Sequence, residues 1–205
     1  VTTRPAGGTY SFFFNDSAAT ENAYNPQIAL GADGTATVVW YRSDGANSIV
    51  QASTRAPGGD FSTPVDLSAS GQDAWAPEVA VAPDGTTTVV WYRRDGTNLI
   101  VQASTCPPNG AFSSPVDLSA SGKDAANPDL AVAPNGAGTL VLDRDTGTGF
   151  AVQASTRAPG GNFSTPVDLS GHGQNEVTDP TVAIAPDGTT TAVWWRSDGT
   201  KTRIQ

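Results

Sequence analysis

The chain has 205 residues, 38% hydrophobic and 15% charged, with 22 glycines, 15 prolines and a formal net charge of −9. That length is enough for one domain with a substantial core, and so many turn formers favour short strands over long helices. The acidic balance argues against nucleic acid, whose binding relies on Lys and Arg neutralising phosphates, and against anionic membrane surfaces for the same reason.

From its start the chain reads as part of a repeat. Val1-Thr2-Thr3-Arg4 matches the interior of later segments such as Ala52-Ser53-Thr54-Arg55. NPQIALGADGTATVVWYRSDG then begins at Asn25 and returns, with changes, at Ala76, Asn127 and Asp179. Its prolines, Pro26, Pro77, Pro128 and Pro180, are spaced by 51, 51 and 52 residues. Tandem identity on this scale marks an array of supersecondary units.

The second copy shows the unit most clearly, as four predicted strands. The first is Glu78 to Ala82, followed by the Pro83-Asp84-Gly85 turn, where Pro fixes φ and Gly permits a positive φ. The second runs from Thr87 to Arg93, β-branched and aromatic, and Asp95-Gly96 marks the next reversal. The third covers Leu99 to Thr105. The fourth, Phe112 to Leu118, contains Pro115, which cannot donate to a ladder and so belongs at an edge. The last copy stops inside its third strand at Arg203-Ile204-Gln205, in phase with the opening residues.

This predicts an all-β fold: a four-bladed β-propeller of about 51-residue, four-stranded blades, with residues 1–205 as one domain and breaks near 51, 102 and 153. Pairing of the N- and C-terminal half-strands is expected to close the ring. The same arithmetic allows self-association, one chain's terminal strand meeting the next chain's, so monomer and assembly both stay open. There is no methionine and the first residue is Val1, so a removed leader or a longer parent protein is expected; an extracellular, secreted location fits the former.

The block from Ala76 to Leu118 resembles the TolB-type propeller repeat. The matching residues are Pro77, the Pro83-Asp84-Gly85 turn, Val89 to Trp91, Arg94-Asp95-Gly96 and Leu99 to Val101. It also resembles tandem repeats of secreted actinobacterial proteins. The resemblance covers nearly the whole chain, and what it implies is the fold, since propellers host many activities. The third copy departs from it, with Asn135 for Asp and Leu142 for Trp.

Two sets of candidate site residues follow. The stretches Glu21 to Pro26, Gln72 to Pro77, Lys123 to Pro128 and Gln174 to Pro180 are expected as loops leading to the innermost strands. Tyr24 and Trp75 there stack on a sugar or apolar ligand, or else cap the gap between blades. Asp124 and His172 join them as loop-face candidates. The first inner-strand residues, Gln27, Glu78, Asp129 and Thr181, are expected to line the central channel with Ala29, Ala80, Ala131 and Ala183. Their oxygens would suit a hard cation such as Ca²⁺, or simply a water-filled channel mouth, with no other cofactor expected. Turn residues Asp33, Asp84, Asn135 and Asp187 are expected to bond their own backbone. Arg42, Arg93, Arg144 and Arg196 are expected to pair with Asp44, Asp95, Asp145 and Asp198.

Cys106 is the only cysteine, so no intrachain disulfide is possible, and His172 is the only histidine, in a loop outside the repeat pattern, so no Ser-His-Asp order is assembled. Near-identical copies also argue against a site of unique residues. The expectation is therefore a secreted, non-catalytic binding propeller, lectin-like, taking a glycan or small neutral ligand. The alternatives are a structural assembly unit and, third, a glycoside-acting enzyme built on Glu78 and Asp129.

Overall fold

The computed structural model of the chain describes residues 1, 2, 7, 21–171 and 176–205. Every regular element in it is a strand. Blade 1 consists of β1 (Ala23–Leu30), β2 (Ala36–Ser43), β3 (Ser48–Arg55) and β4 (Val65–Asp66). Blade 2 consists of β5 (Ala74–Val81), β6 (Thr87–Arg94), β7 (Leu99–Cys106) and β8 (Val116–Asp117). Blade 3 consists of β9 (Ala125–Val132), β10 (Gly138–Asp145), β11 (Phe150–Arg157) and β12 (Val167–Asp168). In blade 4, β13 (Glu176–Ile184), β14 (Thr190–Ser197) and β15 (Thr202–Ile204) form a three-stranded sheet. All pairings are antiparallel, in sequence order.

The outermost strand is shorter than the sequence predicts. Of Phe112 to Leu118 only Val116–Asp117 forms regular strand, with Pro115 offering no N–H just before it, although the Ser113 and Leu118 N–H groups also donate to the third strand. The tie is reinforced by side chains: Gln102 Nε2 donates to Asp117 Oδ1 at 2.7 Å, and Gln51 repeats this with Asp66. The inner strand, in contrast, starts about four residues earlier than predicted, at Ala74 rather than Glu78. It continues through a bulge, where Ala76 and Pro77 together face Trp91.

The bulge recurs in every blade, and Asn25, Ala76, Asn127 and Asp179 all adopt φ of 47–51° there. Asn and Asp tolerate this left-handed region; Ala76 does so at a steric cost. The extra residue restores the facing that a one-residue slip would invert. As a result Trp75 and Glu78, paired to Tyr92 and Val90, lie on one face of blade 2.

Three apolar cores join successive blades. Val39 and Val50 of blade 1 meet Val89 and Trp91 of blade 2. Val90 and Val101 meet Leu130, Leu140 and Leu142 of blade 3. Val141 and Ala154 meet Val182 of blade 4. Each such aliphatic, fully buried, stabilises the fold by about 1.5–3 kcal/mol. Leu130 and Val182 are 9% and 7% exposed, whereas their counterpart Ile28 in blade 1 is 58% exposed. Pro26 is exposed too, where Pro77, Pro128 and Pro180 are buried. The described residues thus show three joined interfaces, and ring closure between blades 4 and 1 is not among them.

The turns behave as their sequences dictate. Asp33, Asp84, Asn135 and Asp187 each accept the N–H two residues on, at 2.8–2.9 Å. The recurring arginines do not all pair with the neighbouring turn aspartates. Arg42 bonds Glu21 and the Ser43 carbonyl, and Arg144 donates to the carbonyls of Ala120 and Lys123 at 2.6 and 2.7 Å. Carbonyls lie nearer the guanidinium than the turn carboxylate does, because that carboxylate is already committed to its own backbone: in blade 1, Asp44 accepts from Ala46 and Asn47.

Candidate active site on the inner strands

The bulges place four unlike side chains at equivalent positions: Gln27, Glu78, Asp129 and Thr181. Two of them reach the next blade. Gln27 Nε2 donates to Glu78 Oε1 at 2.9 Å, and the Val182 N–H of blade 4 donates to Asp129 Oδ2 at 2.7 Å. Asp129 Oδ1 also accepts the Leu130 N–H at 3.0 Å. Ala80 and Ala131, expected in a central channel, pack instead against the inter-blade cores. Glu78 and Asp129 are half-buried, between exposed Gln27 and exposed Thr181.

Burial raises the Glu78 carboxyl from its usual 4.5 to about 7; the nearby Asp129 carboxylate adds to the rise and the Gln27 hydrogen bond opposes it. Glu78 and Asp129 thus stand at equivalent positions of adjacent blades, close enough for the Asp129 charge to favour the protonated form of Glu78. The clefts between blades, of about 270–570 Å³, lie nearer the Pro-Asp-Gly turns and outer strands, and the row lines none of them.

As a cation site the row fits poorly. Gln27 offers its amide nitrogen to Glu78, Asp129 spends both oxygens on backbone N–H groups, and among the described residues no three metal-ligating carboxylates, histidines or cysteines converge.

Beside the row, blades 1 and 2 present aromatic pairs. Tyr24 lies on Tyr41 with centroids 5.5 Å apart, and Trp75 on Tyr92 at 5.7 Å, with the Arg94 guanidinium 5.9 Å from the Trp75 ring. Tyr24 and Trp75 are strand residues ahead of the bulge, not loop residues as predicted. Asp124 proves structural: it accepts the Leu99 N–H at 2.8 Å and pins the blade 2 hairpin, as Asp73 pins Ser48 in blade 1. His172 lies outside the described residues.

One residue was missed. Asp143 occupies the place held by Tyr41, Tyr92 and Trp195 in the other blades. It is 2% exposed and shares the Asp129 face of blade 3. Its Oδ2 accepts from Asn127 Nδ2 at 2.8 Å and from Thr178 Oγ1 of blade 4 at 2.5 Å, while Oδ1 is buried with no protein partner. Burial pushes its carboxyl up to about 6 against these bonds.

No family model matches the chain, and no curated protein matches it. Solved structures do. The endo-arabinase from Bacteroides thetaiotaomicron VPI-5482 aligns at 14% identity and a TM-score of 0.57, over 96% of this chain and 78% of that one. The Penicillium chrysogenum α-L-arabinanase complexed with arabinobiose aligns at 16% and 0.59, over 89% and 61%. A thermostable family-43 glycoside hydrolase aligns at 11% and 0.53, over 86% and 66%. The chain thus spans about two thirds of two of these proteins. Likeness at this identity shows the β-propeller fold; these three structures are a glycoside hydrolase, an endo-arabinase and an arabinanase, and none of them is a TolB-type protein. The expectation of a non-catalytic binder or assembly unit is corrected here. The aligned structures named above are a family-43 glycoside hydrolase, an endo-arabinase and an arabinanase, and the repeat carries unlike residues at equivalent inner-strand positions.

Proposed function

We propose that the chain is a carbohydrate-active enzyme that cleaves glycosidic bonds, with Glu78 as general acid and Asp129 as the partner carboxylate. The observation that carries this reading is the Glu78 carboxyl, raised to about 7 beside a second carboxylate on the inner strands. Glycoside hydrolysis needs this division of labour: a protonated group to supply the leaving oxygen, and an ionised one to activate water or attack the anomeric carbon. Glu78 gives its proton to the glycosidic oxygen as the C–O bond breaks. Asp129, held by two N–H donors, is the acceptor of the pair. Gln27 fixes the Glu78 rotamer through its amide. The Trp75 and Tyr92 rings, on the same face as Glu78, offer a surface on which a sugar ring can stack.

The neighbours' glycan ligands make arabinan and arabino-oligosaccharides the first substrates to test. Release of reducing sugar by the wild type, and its loss in Glu78→Gln and Asp129→Asn, is the expected result. Turnover that survives both substitutions, or none on arabinan, arabinoxylan, fructan and mannan alike, overturns the reading.

A further inference from the structure

Cys106 stands where the other blades carry an arginine, and the consequence is a gap between blades. In blade 3 the equivalent residue, Arg157, is 7% exposed and bridges back to blade 2: its Nη2 donates to Thr88 Oγ1 at 2.7 Å. Its charge is favoured by Asp84, in the blade 2 turn. The stem runs over Gly138, where an added Cβ would come within 2.9 Å of Arg157 Nε. One interface earlier, the repeat presents the same acceptors without the donor. Thr37 is the counterpart of Thr88 and Asp33 of Asp84. Cys106 is too short to reach them, and its thiol turns to the Pro107 and Gly110 carbonyls instead.

A cleft of about 270 Å³ results between blades 1 and 2, lined by Asp33, Thr37, Thr54, Asp84 and Cys106 among others. Thr37 is 1% exposed and its Oγ1 is buried with no protein partner. A buried hydroxyl left unpaired is costly, and native structures seldom leave one so. The lining holds two carboxylates and, among the described residues, no cation. The Asp33 carboxyl is held below the usual carboxylate range by the Thr35 N–H and hydroxyl, so it is ionised at neutral pH.

We propose that this cleft is a binding site for a guanidinium group supplied from outside the chain, seated as the Arg157 guanidinium is seated one interface on. A planar guanidinium has donors for Thr37 Oγ1 and the carboxylates at once, whereas an ammonium is a point charge with a larger hydration cost. The site is independent of the carboxylate row and of the proposed hydrolysis.

Cys106, the only cysteine, reports occupancy directly, since a ligand in the cleft shields its thiol. Alkylation of the folded protein by iodoacetamide is followed with methylguanidinium or the peptide Gly-Arg-Gly. Methylammonium and Gly-Lys-Gly at equal ionic strength are the controls. Saturable slowing of at least fivefold by methylguanidinium and not by methylammonium is expected. Slowing by methylguanidinium alone assigns the site to a small free cation; slowing by both guanidinium probes assigns it to arginine side chains. Thr37→Val should move the midpoint at least tenfold while leaving the ligand-free rate within twofold. Cys106→Arg with Thr87→Gly, which copies the blade 3 pair, should fill the cleft and raise the melting temperature. No saturation in the wild type, equal slowing by methylammonium, or an unchanged midpoint in Thr37→Val each overturns the proposal.

Discussion

In blade 2 the inner strand meets its neighbour through Trp75 and Tyr92, ring centroids 5.7 Å apart; in blade 3 the same two positions hold Ala126 and Asp143. The backbones are alike, with the same bulge and the same positive φ at Ala76 and Asn127. Yet blade 2 offers an apolar wall beside Glu78, and blade 3 a buried carboxylate beside Asp129. The repeat therefore supplies a frame in which a few substitutions set local charge and polarity without altering the fold. Repetition does not preclude a unique site. Within such a frame the positions that differ between equivalent blades stand out against the rest.

If this contrast between blades 2 and 3 is chemical, removing its acid should have the largest effect. Glu78→Gln keeps shape and the Gln27 contact but has no proton to donate. We expect kcat on a responsive glycoside to fall by about 10²–10⁴-fold, measured by steady-state kinetics, with the far-UV spectrum unchanged.

Asp143→Ala tests whether blade 3's departure is built in or mere decay. It leaves Asn127 Nδ2 without its carboxylate partner and cuts the tie to Thr178 of blade 4. It should cost about 1–2 kcal/mol in urea denaturation at pH 4, where the carboxyl is protonated, and less at pH 7, where its ionisation already weakens the wild type. A stable or more stable variant would return Asp143 to the status of a chance substitution.

Both unusual carboxyls bear on pH. Glu78 rises from 4.5 to about 7 and Asp143 from 3.8 to about 6, so the folded chain holds these protons more tightly than the unfolded one. The stability they contribute is fully present below about pH 4 and is lost as pH rises through 6 and 7. Glu78→Gln should therefore gain on the wild type at pH 8, by about 2 kcal/mol after discounting for partial exposure, and gain nothing at pH 4. Denaturation at the two pH values checks the sign.

On the aromatic side, Trp75→Ala should raise KM about tenfold and leave kcat within a factor of about two, as expected of a group that binds substrate and transition state alike. The smallest effect is in the shared backbone. Ala76 adopts φ of 47°, where Asn25 and Asn127 sit in other blades, and Ala76→Asn should stabilise by about 0.5–1 kcal/mol.

Much of this was legible in the sequence. The spacing of Pro26, Pro77, Pro128 and Pro180 gave the blades, the Asp-Gly turns gave the hairpins, and Pro115 marked the edge strand. Gln27, Glu78, Asp129 and Thr181 do occupy equivalent positions just after the bulge in the four blades. Strand alternation puts them on one face with their alanines, but Ala80 and Ala131 on that face pack against the inter-blade cores, and the bulge, which Ala76 does not advertise, brings Trp75 onto the Glu78 face as well. Asp124 looked like a surface ligand because a carboxylate that caps a neighbouring hairpin's N–H has no local signature. Asp143 escaped notice because its partners, Asn127 and Thr178, lie 16 and 35 residues away. The meaning of Cys106 required the acceptor across the interface, Thr37.

The most direct test of the central claim is the pH dependence of kcat/KM on an arabino-oligosaccharide. The account predicts a descending limb with a midpoint near 7, set by the Glu78 proton and absent from the residual activity of Glu78→Gln. A profile flat through pH 8, or an identical limb in Glu78→Gln, would contradict it.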